Sequence, residues 1–207
     1  MVHILCHRKM LKQELPHMYK ALFLDRDGII NEDFGYVFEP EQFVFKTEIF
    51  PLIKKFRQAG YKVFIVTNQS GIAREYYSAE DFIVLTQWML TELNSLEASV
   101  DDVYYCPHHP VAGKTELTMT CMCRKPQPGM FFRAAEEYNI NLHESIMIGD
   151  KQSDMEAAIA AKLTQAYWLT EDSDLQTLNS LAALSKAYNV KTTISTVTHL
   201  SQIDVPS

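Results

Sequence analysis

Two acids two residues apart stand at the head of the chemistry this chain can do. They lie in Asp25-Arg26-Asp27-Gly28, where the glycine lets the backbone turn sharply beside the carboxylates. Further along, Thr67-Asn68-Gln69-Ser70 offers a hydroxyl and backbone amides, and Gly149-Asp150-Lys151-Gln152-Ser153-Asp154 brings two more acids. A lone Asp-x-Asp-Gly serves equally well as a plain turn, but three such stations together read differently. Carboxylates gathered in one cleft repel one another unless a cation or a proton compensates them. A hard divalent ion such as Mg²⁺ takes oxygen ligands, typically one or two carboxylates plus substrate phosphate. Lys125 can offer positive charge to a phosphoryl oxygen, and Arg124 can grip a further anionic group with both guanidinium arms. The substrate so implied is a phosphate.

A second set has different chemistry. Three of the four cysteines fall in Cys106-x-His108-x12-Cys121-x-Cys123. Three thiolates and one imidazole fill a tetrahedral zinc site completely, so such a zinc has no open position for water and is structural. Small core residues or an empty loop are the alternative, and His109 competes with His108 as the ligand. The stretch from Cys106 to Gln127 is too long for a plain connection and needs pinning. It leads directly into Arg124 and Lys125. Cys6 stands outside the set.

These residues must be positioned by a scaffold, and the pattern is one of short apolar runs alternating with amphipathic stretches. That predicts an α/β fold: a Rossmann-like parallel sheet with helices on both faces, the zinc-pinned loop as insert. Strands are expected at Tyr19–Leu24, Lys62–Val66, Val103–Tyr105, Ser145–Ile148 and Ala166–Leu169. Helices are expected over Phe50–Ala59 with Gly60 as the stop, from Ser78 with Asp81 in its first turn, from Pro128, over Met155–Ala161, and over 174–187. In such a sheet ligands bind beyond the carboxyl ends of the strands, where Asp25, Thr67 and Asp150 fall. Residues 19–190 are taken as one domain, 1–18 as an N-terminal arm and 191–207 as a weakly patterned tail. Trp88 and Trp168 read as core; His17, His143 and His199 read as surface.

The 207 residues are 47% hydrophobic and 22% charged, an ordinary globular composition. A net charge of −7 argues against a nucleic-acid groove binder. No apolar run approaches the ~18 residues of a membrane span, and no export signal is visible. The expectation is a cytoplasmic monomer whose partner is a small molecule, with neither nucleic acid nor membrane.

The motifs also carry a family resemblance. Phe23-Leu24-Asp25-Arg26-Asp27-Gly28, Val66-Thr67-Asn68-Gln69-Ser70-Gly71-Ile72-Ala73-Arg74, Cys121-Met122-Cys123-Arg124-Lys125-Pro126 and Met147-Ile148-Gly149-Asp150-Lys151 resemble the four motifs of haloacid dehalogenase-superfamily phosphatases. Within that superfamily, Gly35-Tyr36-Val37, Tyr104-Tyr105-Cys106-Pro107-His108-His109-Pro110 and Lys125-Pro126 resemble the branch acting on D-glycero-D-manno-heptose 1,7-bisphosphate, with histidinol-phosphate phosphatases as nearest relatives. The likeness runs from about Ala21 to Ala161. Ile29 departs from it, standing where the family often has Thr.

The resemblance implies a Mg²⁺-dependent phosphatase without a large cap domain. Asp25 is then the nucleophile that becomes an aspartyl-phosphate, and Asp27 the acid and base, its pKa raised by neighbouring acids and partial burial. Mg²⁺ is held by Asp25, the Asp27 carbonyl and Asp150, while Thr67 and Lys125 stabilise the transferring group. Substrate contact falls to Asp33, Phe34, Gly35, Tyr36, Thr67, Asn68, Gln69, Ser70, Arg124, Lys125 and Lys151. Asp154 is read as a helix-side ion-pair partner, with alignment of Lys151 or a metal-bound water as the alternative. The implied reaction removes the 7-phosphate on the way to nucleotide-activated heptose for bacterial surface polysaccharide. Histidinol-phosphate hydrolysis and a catalytically silent zinc-stabilised binding module are the competing readings.

Overall fold

The computed structural model describes residues 18–113, 116–172 and 174–206, so most of the N-terminal arm, with Cys6 and His17, lies outside the described residues. Six strands form one wholly parallel sheet in the order β3-β2-β1-β4-β5-β6: β1 Ala21–Leu24, β2 Lys62–Asn68, β3 Asp102–Cys106, β4 Ile146–Gly149, β5 Gln165–Leu169 and β6 Thr193–Val197. Alternate residues of the central strands feed two cores. Leu22, Leu24, Val63, Ile65, Ile146 and Ile148 face α1 (Ile49–Gln58) and α2 (Ala79–Ser95), while Ala21, Phe23, Phe64, Val66 and Met147 face α3 (Gly129–Tyr138), α4 (Gln152–Ala160) and α5 (Leu175–Ala187). Burial on both faces explains why these strands read as unbroken apolar runs. Ile29 lies in the first core, fully buried, so its departure from the family pattern serves packing.

Helix starts follow local chemistry. The Ser78 hydroxyl accepts the Asp81 N–H and the Asp81 carboxylate accepts the Ser78 N–H, the reciprocal cap that the sequence pattern implies. Asp174 caps α5 through the Thr177 amide. Beyond α1, Gly60 takes a left-handed φ of +83°.

Most element ends shift by one to three residues from expectation, α4 for example beginning at Gln152 and not Met155, and two differences stand out. Thr193–Val197, assigned by the sequence to a tail, is the edge strand β6, pairing with β5 from Gln165↔Thr193 to Leu169↔Val197. Its threonines are exposed and its serine is half-buried, so no buried apolar run marked it. Ser145 precedes β4 instead of opening it; its buried hydroxyl accepts the Ala21 N–H. The segments that leave β1 (25–48) and β3 (107–128) contain no inserted domain among the described residues.

Candidate active site

The strand order reverses between β1 and β4, and there the crevice at the carboxyl ends opens. Asp25 follows β1, with its N–H donated to the Ile148 carbonyl of β4, and Asp150 follows β4. Gly28 makes their approach possible. It turns at φ +92°, and a Cβ there would lie 2.2 Å from Asp150 Oδ2.

Lys125 is brought in from the far end of the cysteine loop. Asn68, the last residue of β2, accepts the Lys125 N–H and donates to the Lys125 carbonyl, each at 3.0 Å. The Lys125 ammonium is buried and meets three oxygens: Val66 O at 2.7 Å, Asp25 Oδ1 at 2.9 Å and Asp154 Oδ1 at 2.6 Å. Burial alone would lower the lysine pKa, but the Asp154 and Asp25 carboxylates outweigh it and hold it above the ordinary value. Asp154 is thus a fully buried partner of Lys125: the ion pair read from the sequence is present, and it lies inside the protein. Its other oxygen accepts the Lys151 N–H at 3.0 Å.

Asp25 is pushed above the ordinary carboxylate range, chiefly by burial, which exceeds the opposing pull of Lys125; the Asp154 charge adds to the rise. Asp150 is pushed up to about 7, first by burial and then by the Asp25 charge. Its Oδ1 is buried with no hydrogen-bond partner. Carboxylate oxygens of Asp25, Asp150 and Asp154 lie within 4.8 Å of one another. With Asp154 tied to Lys125, the oxygens of Asp25 and Asp150 are the ones a cation would meet. An orphaned buried carboxylate oxygen beside a second buried acid is the donor set a hard divalent ion requires. The Trp168 indole donates to the Asp150 carbonyl at 3.0 Å and steadies this ligand from β5.

The surroundings of Asp27 differ from expectation. The acids expected to crowd it converge on Asp25 and Asp150, whereas Asp27 faces donors: Arg26 at 2.8 Å, Asn31 Nδ2 at 3.1 Å and Gln69 Nε2 at 3.0 Å. Gln69 also donates to Thr67 Oγ1 at 2.8 Å and accepts from the Tyr77 hydroxyl at 2.6 Å. Its amide N–H goes to the Cys106 carbonyl. Buried and engaged at both ends, Gln69 orients Asp27 and Thr67. The Tyr77 hydroxyl is pushed up to about 12, mainly by burial, and stays a donor at neutral pH.

Asp33, Phe34, Gly35 and Tyr36 form an exposed loop over the crevice. Lys151 Nζ reaches Asp33 Oδ2 at 3.1 Å and Asp150 Oδ2 at 3.7 Å. Burial would lower the lysine, but Asp150 and Asp25 lead the charges that raise its pKa. The exposed rings of Tyr36 and Tyr76 meet edge to face, with centroids 4.7 Å apart. Ser70 is half-buried, its carbonyl accepting the Arg74 N–H.

Cys106, His108, Cys121 and Cys123 converge with ligand atoms 3.2–3.6 Å apart in the contacting pairs. Ligands about 2.3 Å from a common centre would stand roughly 3.8 Å apart at the corners of a tetrahedron, close to this spacing. The residues therefore fit zinc. His109 is turned away, its Nδ1 accepting the amides of Val111 and Ala112. Arg124 follows Cys123 and donates from Nη1 to the His108 carbonyl at 3.1 Å.

The sequence offered Asp154 as an ion-pair or aligning residue without naming Lys125 as its partner, and assigned Trp168 to the core. The Gly149-Asp150-x3-Asp154 spacing, with both acids at the start of α4, was the available signal for the first. Nothing local marked the second as a site residue.

A parallel sheet with paired acids, a hydroxyl and a buried lysine at its switch point has the form of a HAD-like hydrolase, and a family model described as HAD-hydrolase-like matches residues 122–198. A D-glycero-beta-D-manno-heptose-1,7-bisphosphate 7-phosphatase of Yersinia pestis is 40% identical over 180 residues, covering 83% of this chain and 96% of its own. A D-glycero-alpha-D-manno-heptose-1,7-bisphosphate 7-phosphatase of Photorhabdus laumondii is 40% identical over 148 residues, covering 72% and 81%. The crystal structure of the D,D-heptose 1,7-bisphosphate phosphatase from B. bronchiseptica, complexed with magnesium and phosphate, superposes with a TM-score of 0.65 at 29% identity, covering 81% of this chain and 97% of that one. The chain belongs to the heptose-bisphosphate phosphatase family of HAD-like hydrolases.

Proposed function

We propose that the chain is a Mg²⁺-dependent phosphoric monoester hydrolase that removes the 7-phosphate of D-glycero-D-manno-heptose 1,7-bisphosphate, on the route to nucleotide-activated heptose for bacterial surface polysaccharide. The observation that carries the reading is the buried Lys125 held between Asp25 and Asp154, beside Asp150 with its orphaned oxygen. That array is compensated for one negative charge and short of positive charge for the next.

An Asp25 carboxylate oxygen attacks phosphorus in line. The bond from phosphorus to the sugar oxygen breaks as the bond to Asp25 forms, and Asp27 gives its proton to the departing oxygen. Asp27 then takes a proton from the water that attacks the aspartyl-phosphate, releasing inorganic phosphate and restoring Asp25. Arg26, Asn31 and Gln69 hold Asp27 in place for both transfers. Held by the Asp25 and Asp150 carboxylates and the Asp27 carbonyl, Mg²⁺ supplies charge that neutralises the transferring group. Thr67 and Lys125 meet the phosphoryl oxygens. Since Val66 O, Asp25 Oδ1 and Asp154 Oδ1 already surround Lys125 Nζ, that contact replaces one of them, the Asp25 oxygen being the group that turns to phosphorus.

Asp33, Phe34, Gly35, Tyr36, Asn68, Ser70, Arg124 and Lys151 contact the rest of the substrate, with Gln69 as a positioning residue. Zn²⁺ bound by Cys106, His108, Cys121 and Cys123 pins the loop that delivers Arg124 and Lys125. The protein acts as a cytoplasmic monomer on a small sugar phosphate, with no nucleic acid or membrane involved. The net charge of −7 argues against a nucleic-acid partner, and among the described residues no helix is long and apolar enough to cross a membrane.

The test is phosphate release, with Mg²⁺, from both anomers of the heptose bisphosphate and from histidinol phosphate, for the native protein and Asp25→Asn. The expected result is turnover of a bisphosphate by the native protein and its loss in the variant. Preference for histidinol phosphate would overturn the substrate, and native-like turnover by Asp25→Asn would overturn the nucleophile.

A further inference from the structure

Beside the zinc loop, several hydrogen-bond donors face one another with no acceptor between them. His109 Nδ1 accepts two backbone N–H groups, from Ala112 at 2.8 Å and Val111 at 3.2 Å, so that nitrogen carries no hydrogen. In the neutral ring the hydrogen is therefore on Nε2. Nε2 lies 3.4 Å from Arg74 Nη2, and a guanidinium has no acceptor to offer it. The approach is two donors turned toward a shared space. Arg74 Nε is buried with no partner. Arg124 donates to the His108 carbonyl, so both arginines gather on the His108-His109 dipeptide. Among the described residues, neither arginine has a carboxylate within 4.0 Å, in a chain that carries seven more acids than bases.

Two guanidiniums held together repel each other, and a buried donor without an acceptor costs about 1–3 kcal/mol. A dianionic phosphate removes both penalties, because its oxygens accept from several N–H groups at once. Arg124 is the chain neighbour of Lys125, whose ammonium touches Asp25, so one backbone step joins these donors to the catalytic lysine.

We propose that Arg74 and the His109 Nε2–H, together with Arg124, form the seat of the phosphate that the reaction leaves on the sugar, Arg74 being a specificity-determining residue. The proposal rests on the bisphosphate reading above and adds two residues to it. Asp27 and Lys125 work on the departing phosphate; Arg74 and His109 select substrates that carry a second one.

The test compares heptose 1,7-bisphosphate with heptose 7-phosphate, which lacks the second anion, on the native protein, Arg74→Gln, Arg74→Lys and His109→Asn. Asparagine keeps an acceptor for the Val111 and Ala112 amides while removing the Nε2–H. KM for the bisphosphate should rise on the order of 10- to 100-fold in Arg74→Gln, the range for hydrogen bonds to a charged group. The rise should be smaller in Arg74→Lys and in His109→Asn. Throughout, kcat should stay within about threefold, and KM for the monophosphate should change far less, so that the ratio between substrates collapses. If Arg74→Gln and His109→Asn weaken both substrates equally, or leave the preference for the bisphosphate intact, the seat is refuted while the proposed function stands. If the native protein itself shows no preference for the bisphosphate, the substrate reading fails and the seat with it.

Discussion

Taking the Mg²⁺-free protein from about pH 5 to about pH 8 should loosen the fold, and adding Mg²⁺ at the upper pH should tighten it again. The cause is Asp150. In the folded chain its carboxyl keeps its proton up to about 7, because burial and the Asp25 charge oppose ionisation, whereas in the unfolded chain it ionises near 3.8. Between those values the folded state binds more protons than the unfolded state, so stability falls as pH rises and the loss is complete above about 7. The whole shift corresponds to about 4 kcal/mol, and the part above pH 5 to about 3 kcal/mol. Both are upper bounds, since the side chain is 22% exposed and solvent screens some of the charge. For a chain of this length, the drop corresponds to a Tm lower by roughly 5–10 °C. Thermal unfolding with a chelator of divalent ions, and then with excess Mg²⁺, reads it directly. Asp150→Asn isolates it, because an amide neither titrates nor holds the cation: the native-minus-variant difference in Tm should shrink with pH when metal is absent. Mg²⁺ should raise the native Tm most above pH 7 and leave the variant unmoved. A native-minus-variant difference that is flat with pH, or equal Mg²⁺ stabilisation of both proteins, would refute the reasoning.

Removing the ammonium in Lys125→Met leaves Asp25 and Asp154 buried without their cation, which should cost about 3–5 kcal/mol in denaturant unfolding; a loss under 1 kcal/mol would mean the pair is solvated. Gly28→Ala sets a methyl against Asp150 Oδ2 in a left-handed turn. Calorimetric Mg²⁺ titration should therefore show affinity lower by about tenfold or more, and unchanged affinity would argue against the close approach. Chelating the zinc, or the change Cys123→Ser, should lower Tm and kcat together, with elemental analysis finding one zinc per native chain. Full activity at an unchanged Tm would count against a structural role.

The strand-end stations were legible because a strand buried on both faces advertises itself as an apolar run, and the residue after it is then known. Asp25 and Asp150 came from that rule, and the set Cys106, His108, Cys121 and Cys123 from its spacing together with the family resemblance. The bonds of Gln69 were not legible, because a polar residue beside a catalytic motif looks the same in sequence whether it faces ligand or protein. Its saturation by Asp27, Thr67 and Tyr77 is a fact of packing.

By itself the sequence determined which chemistry was available: paired acids, a lysine and arginine, a thiolate set and an alternating α/β pattern. These follow from residue identity and short-range periodicity, which act within one element. The tertiary structure alone decided the pairings. Asp154 belongs to Lys125, Trp168 steadies Asp150, β6 closes the sheet edge, and Arg74 meets His109 across 35 residues. Such partnerships depend on how the parallel crossovers fold back and on which donors burial strips of water, and a linear pattern holds no record of either.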